Sequence, residues 1–216
     1  MNTFNLLNNY NTYWGNNYIG TRNPPLDGNM TFKVTVPPLI EPVTVNELKE
    51  FARIDSTDED TTLLGFIKAS RHGIEQYLGR SLIRQTITVS LDTWSYSVLK
   101  LPRPPLLDVF EVRTIDEDDV PTIYDYSNYY IRTDIEPGQI VIKSNSSFPI
   151  NDERSYGGFE VEYWAGYGSS ASDVPQMIIE GIKLWATGMY ENRTFDPVNI
   201  PPTVRAVVDG YKVIKI

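Results

Sequence analysis

TTLLGFIKASRHGIEQYLGRSLIRQTITVSL (residues 61–91) changes its period partway along. In the first half Leu63, Leu64, Ile67, Ile74, Tyr77 and Leu78 fall on one face of a 3.6-residue helix. Gly79 is placed to end that helix in the left-handed conformation glycine tolerates. Beyond it Ile87, Val89 and Leu91 alternate with Thr and Ser, the period-two pattern of a half-buried strand. A helix that feeds directly into a strand makes the chain mixed, and the neighbouring elements decide how the two kinds are arranged.

Upstream, Thr44-Val45-Asn46-Glu47 is a capping box that starts a short helix to about Arg53. Ser56-Thr57-Asp58-Glu59 has the same spacing and is expected to start the helix over 61–78. Downstream, Val98 to Leu101 is the expected partner of the 87–91 strand. Pro102, Pro104 and Pro105 mark a strand end or edge. Val109 to Ile115, Pro121 to Tyr124, Tyr129 to Arg132, Gln139 to Ile142 and Phe159 to Trp164 read as further short strands, with a turn at Asp116-Glu117-Asp118-Asp119. Seven short strands in succession describe a compact β-subdomain.

Helix returns after the loop Gly166 to Ser172. Asp173 is expected as its N-cap, with Pro175 in the first turn and Gln176 completing a box. Met177, Ile178, Ile182, Trp185 and Met189 make its apolar face. Pro201-Pro202 opens a last helix, Thr203 to about Asp209, and Gly210 to Ile216 reads as extended. The fold class expected is α+β: a small helical bundle, with helices before and after in sequence, carrying an inserted antiparallel β-subdomain. The division is 1–38 arm, 39–83 bundle, 84–168 β-subdomain, 169–210 bundle and 211–216 tail. Residues 1–38 are Asn-rich and nearly uncharged, with Phe4, Tyr10, Tyr13, Trp14 and Tyr18 scattered through them, and Phe32, Val34 and Val36 alternating near the end. A disordered leader is one reading. The aromatics favour the other, an extended arm that orders against a partner.

Composition narrows the function. The 216 residues hold 19 Lys and Arg against 28 Asp and Glu, a net charge of −9. That disfavours a protein whose task is to grip nucleic acid, because such binding rests on Lys and Arg neutralising phosphates. It is compatible with a protein that lets DNA slide past. There is no cysteine and one histidine, His72, so thiolate chemistry, disulfides and multi-His metal sites are excluded. No apolar run reaches membrane-spanning length, and the N-terminus lacks the pattern of a secretory signal. The acids are clustered, seven against two bases in 41–60 and seven against one in 116–136, while 203–216 holds three bases and one acid.

The chain holds no phosphate-loop, zincin or nucleophile-elbow motif. The Gly166–Ser172 loop resembles a phosphate cradle, but Asp173 at the helix start would repel an anion. The Asp116–Asp119 run lacks the glycine and distal Glu of a calcium loop. Asp58, Glu59 and Asp60 could pair as acid and base, yet acids at a helix N-terminus have a structural reason to be there. His72 has no Ser or Cys motif to serve. Trp164 and Tyr167 could stack on bases or sugars, but a strand end favours core packing. No enzyme and no cofactor are expected.

The order of motifs carries a resemblance. PLIEPVTVNELKEFARID (38–55) precedes an acid cluster and a helix ending YLGRSLI (77–83). Then come a strand, LPRPPL (101–106), VEYWAGYG (161–168), Asp173-Val174-Pro175 opening a helix, and Tyr190-Glu191-Asn192-Arg193. This order resembles the head–tail connector, or head-completion adaptor, family of tailed bacteriophages over roughly residues 38–211. The resemblance implies a structural virion protein, made in the host cytoplasm and placed in the neck. Copies, typically twelve, form a ring under the portal protein, receive a stopper or tail-completion protein, and let genomic DNA pass without specific binding. It implies portal docking by the C-terminal segment, here Tyr211, Lys212, Val213, Ile214, Lys215 and Ile216. Apart from the resemblance, the acid clusters are expected to give a face toward lumen or solvent, from Asp55, Asp58, Glu59, Asp60, Asp116, Glu117, Asp118 and Asp119. The arm, which lies outside the family pattern, is expected to contact a neighbouring ring protein through Tyr10, Tyr13, Trp14 and Tyr18. The rival readings are another neck or tail-completion protein and a carbohydrate- or receptor-binding β-module.

Overall fold

The computed structural model describes residues 30–94, 97–146, 153–192 and 199–213. The residues Tyr10, Tyr13, Trp14, Tyr18, Ile214, Lys215 and Ile216 lie outside them. The fold is α+β, as the sequence leads one to expect.

Helix α1 (Val45–Ala52) begins with the expected capping box. Thr44 Oγ1 accepts from the Glu47 N–H at 3.2 Å, and the Glu47 carboxylate accepts from the Thr44 N–H at 2.7 Å. That bond to the Thr44 backbone holds the Glu47 carboxyl below the usual carboxylate range. Helix α2 (Asp60–Leu78) ends at Gly79, in the left-handed region at φ 70°. The second expected capping box does not form. Ser56 Oγ instead accepts from the Asp58 N–H at 3.1 Å, and the Glu59 carboxylate accepts from the Tyr190 hydroxyl at 2.8 Å, so α2 starts without a side-chain cap.

Helix α3 (Gln176–Glu191) follows a 3-10 turn, Ala171–Asp173. Ser170, not Asp173, caps that turn, and the Asp173 carboxylate accepts from the Ser170 N–H at 2.8 Å. Met177 is exposed, on the side of α3 away from Ile178, Ile182 and Trp185, which are buried with Leu63, Ile67, Ile74 and Leu78 of α2. Helix α4 (Pro202–Val208) lies on α3 at Gly181, where a Cβ would meet Val208 Cγ1 at 2.7 Å. The missing side chain lets the two helices approach. A 3-10 turn, Asp209–Tyr211, follows α4 where extended chain was expected.

The β-subdomain contains two antiparallel sheets. The first has the order β1-β2-β8-β4-β5, from β1 (Thr31–Val36), β2 (Gln85–Leu91), β8 (Phe159–Ala165), β4 (Leu106–Ile115) and β5 (Pro121–Ile123). The second has the order β3-β7-β6, from β3 (Val98–Lys100), β7 (Gln139–Ile142) and β6 (Tyr129–Arg132). Val98–Lys100 does not pair with β2, because both edges of β2 are taken, by β1 and β8. The end of the arm contributes β1, the outer strand of the larger sheet. Ile87, Val89, Val112, Val161 and Tyr163 of one sheet are buried with Leu99, Tyr129 and Ile140 of the other.

The bundle and the β-subdomain thus have separate cores, and the chain crosses between them three times, after β1, after α2 and after β8, the last two passages lying side by side. Tyr167 N donates to Leu82 O at 2.9 Å and Arg84 N to Gly168 O at 2.7 Å. Gly166, at φ 134°, allows this: a Cβ there would meet Arg84 N at 2.7 Å. A buried carboxylate closes the crossing. Glu75 Oε1 accepts from the Leu82 N–H at 2.8 Å, and Oε2 accepts from Arg71 Nη1 at 2.7 Å. Arg71 also holds Glu41 ahead of α1, at 2.7 Å. Arg103, in the β3–β4 loop, donates to Glu75 O at 2.9 Å and Arg80 O at 3.2 Å. Burial raises the Glu75 carboxyl above its ordinary range, opposed by Arg71 and the Leu82 N–H.

Replacing Glu75 by Ala leaves the Leu82 N–H without its acceptor and Arg71 with Glu41 alone, and is expected to cost about 1–3 kcal/mol in denaturant unfolding. Gln, which retains an acceptor, is expected to cost less. In the bundle, a Cβ on Gly73 would meet Trp185 Cη2 at 2.4 Å, whereas one on Gly65 meets nothing within 4 Å. Gly73→Ala is therefore expected to destabilise by about 1–3 kcal/mol through overpacking. Gly65→Ala is expected to stabilise by up to about 1 kcal/mol through helix propensity. Equal effects at the two positions would contradict this packing.

Candidate interaction surfaces

Among the described residues no group of three or more His, Asp or Glu side chains is placed to hold a metal ion, and no helix is long and apolar enough to cross a membrane. His72 is exposed on α2, with Nε2 3.2 Å from the Gln76 amide nitrogen. The Gly166–Ser172 loop is closed from within. A Cβ on Gly168 would meet Asp173 Oδ2 at 2.0 Å, so that carboxylate fills the place an anion would take.

The acid clusters lie at the far ends of the two halves. Asp60 begins α2, whose C-terminus is at the crossing about 27 Å away by helix rise. Asp60 pairs with Lys49 at 2.9 Å, Glu59 holds Tyr190, and Asp55 and Asp58 are exposed. The Asp116–Asp119 turn lies at the end of β4, about 30 Å along that strand from the crossing. Asp116 Oδ1 accepts from the N–H groups of Asp118 (3.0 Å) and Val120 (2.8 Å), which shapes the turn. Asp119 pairs with Arg154 at 2.7 Å. Glu117 and Asp118 are exposed and form no ion pair among the described residues. Each cluster thus lies at the end of its element away from the crossing, one on the bundle and one on the β-subdomain.

Two surfaces escape a reading of the sequence. Trp164 is not core. It is half-buried, on the face of the larger sheet away from the small one, with Phe110 edge-on at 4.5 Å and the Arg84 guanidinium 4.8 Å over its ring. The strand alternation holds the signal: buried Val161, Tyr163 and Ala165 put Glu162 and Trp164 on the opposite side. Beside the acidic turn, Val120, Ile123 and Tyr126 are exposed, Ile123 by 67 %. Tyr167, by contrast, is half-buried and packs on the bundle core.

The C-terminal segment starts fixed to the body. Arg80 Nε donates to Tyr211 O, and Val213 N donates to Leu78 O at 3.0 Å. Lys212 Nζ lies 4.2 Å from the centre of the Tyr77 ring, whose other neighbour is the Arg205 guanidinium at 5.3 Å. The Tyr77 hydroxyl donates to Asp209, which pushes the phenol pKa up. Tyr211, Lys212 and Val213 are therefore a root held by α2. Ending the chain after Val213 is expected to leave the thermal midpoint unchanged. Ending it after Gly210 removes both backbone bonds and the stacked cation, at an expected cost of about 1–3 kcal/mol. Equal midpoints for the two truncations in a melting experiment would contradict the root.

Comparison with known proteins places this geometry. A family model described as head completion protein matches residues 41–214. A chain in the neck of an empty gene transfer agent particle, computed with C6 symmetry, shares the fold with a TM-score of 0.74 at 21% identity, covering 86% of this chain and 97% of that one. A chain of the native gene transfer agent virion gives 0.72 at 21%, covering 86% and 97%. One in the neck of the native particle computed with C12 symmetry gives 0.69 at 23%, covering 87% and 96%. No curated protein matches the chain. The family model takes in α1 to α4 and β2 to β8, the bundle and the β-subdomain together, and the chain belongs to the head completion protein family.

Proposed function

We propose that the chain is a structural adaptor in the neck of a tailed phage or phage-like particle, where several copies form a ring between head and tail. The observation that carries this reading is the family match across both halves of the molecule, 41–214. The same fold in gene transfer agent necks computed with C6 and C12 symmetry supports a ring, with twelve copies as the natural number. In this reading the ring lies under the portal protein, hands on to a stopper or tail-completion protein, and surrounds the passing genome. The protein performs no catalysis.

The surfaces suit that task. DNA adheres to a protein through Lys and Arg that neutralise phosphates, and the chain carries net −9. The exposed Asp55, Asp58, Glu117 and Asp118 would repel phosphates and keep DNA mobile wherever they meet the lumen. Portal docking falls to the end of the tail, Ile214, Lys215 and Ile216, with Tyr211, Lys212 and Val213 as its fixed root. The arm, with Tyr10, Tyr13, Trp14 and Tyr18, reaches a neighbouring protein of the ring.

Cross-linking mass spectrometry on purified particles tests this. Links from Lys212 and Lys215 to a portal subunit, together with links between copies of the chain, are expected. Links confined to tail-tube or fibre proteins would move the chain down the particle and sink the adaptor reading in favour of a receptor-binding module.

A further inference from the structure

A closed ring of identical subunits needs two different patches on each copy, one meeting the other on the next subunit. The chain carries two patches of opposite charge that it cannot bring together within itself. One is the cation pair around Tyr77 at the crossing. Arg205 and Lys212 are both exposed, both stack on the Tyr77 ring, and neither forms an ion pair among the described residues. The nearby acid, Asp209, is engaged by the Tyr77 hydroxyl. The other is the β4–β5 turn, where Glu117 and Asp118 are exposed beside Val120 and Ile123.

The turn stands at the far end of β4, about 30 Å along the strand from the crossing. Such a separation puts direct contact between the two patches of one chain out of reach. Each patch combines charge with apolar or aromatic surface, the mixture that fills the centre and rim of protein interfaces. Two cations side by side on one aromatic ring favour an acidic occupant by charge complementarity.

We infer that neighbouring copies in the ring join through these patches, the Glu117-Asp118 turn of one subunit seating against Arg205, Tyr77 and Lys212 of the next. The inference rests on the ring reading above and gives it a specific contact. The contact is directional, turn to root, and repeats around the ring. It also places Lys212 at the boundary between copies, directly before the tail residues assigned to the portal.

Charge exchange tests it in assembled particles. Two paired variants, Arg205→Glu with Lys212→Glu and Glu117→Lys with Asp118→Lys, change only exposed side chains, and circular dichroism and melting of the purified chains check that each folds. Each pair is expected to lower the amount of chain in purified necks at least tenfold. All four changes in one chain are expected to restore it. The inference is overturned if the Arg205/Lys212 pair variant occupies necks at the wild-type level. It is equally overturned if the four-fold variant remains as depleted as the pairs, since the cations would then serve another partner. Absence of the wild-type chain from purified necks is a different result, which sinks the neck assignment itself.

Discussion

The Glu75 carboxylate is the constraint on which the arrangement of the molecule depends. It is buried near the end of α2, and its two oxygens hold different parts of the chain. One accepts from Arg71 on α2, which in turn grips Glu41 ahead of α1. The other accepts from the Leu82 N–H where the chain leaves the bundle for β2. A buried charge without partners is costly, so each partner must stay in place for the others to be tolerated. With the Gln85 amide of β2, 3.4 Å from the same oxygen, the bond to Leu82 ties the start of the β-subdomain to the end of α2. Arg103 adds a second tie from the β3–β4 loop to the end of the same helix.

A fixed crossing suits a structural member of the head completion protein family. Hydrophobic burial stabilises each half on its own, but it is non-directional and would not orient one half against the other. Polar bonds and the close approach at Gly166 supply the direction. The result carries acidic groups at the far end of each half and a basic, aromatic patch at the middle. In the ring proposed above, that distribution of charge lets one copy meet the next.

Much of the fold could be read from the residues. The change of period across Gly79, the Thr44–Glu47 box and the strand alternation through Ile87 to Leu91 each depend on local chemistry, and each is found in the structure. What could not be read depends on distant partners. Ser56 had a capping position available and used its hydroxyl in a local turn, because Tyr190, 131 residues from Glu59 in sequence, holds that carboxylate. Ser170 and Asp173 both had capping chemistry, and only the 3-10 turn between them decides which acts as the cap. Val98–Lys100 pairs away from β2 because of β1 and β8, which lie before and long after it. Glu75 did leave a trace: it lies on the same helical face as Ile67, Ile74 and Leu78, with Arg71 four residues before it. An acid on a core face with a base at that spacing signals a buried pair. The surfaces were less legible, since the root of the tail depends on Tyr77 and Leu78 of another element, and the charge patches gain meaning only from their separation in space.

Electron cryomicroscopy of the neck of a particle carrying this chain tests the central claim most directly. The account predicts a closed ring between portal and tail, into whose subunit density the bundle and β-subdomain fit as one body, with the β4–β5 turn of each copy against the next. Density for the chain outside the neck, or a ring into which the two halves fit only as separate bodies, would contradict it.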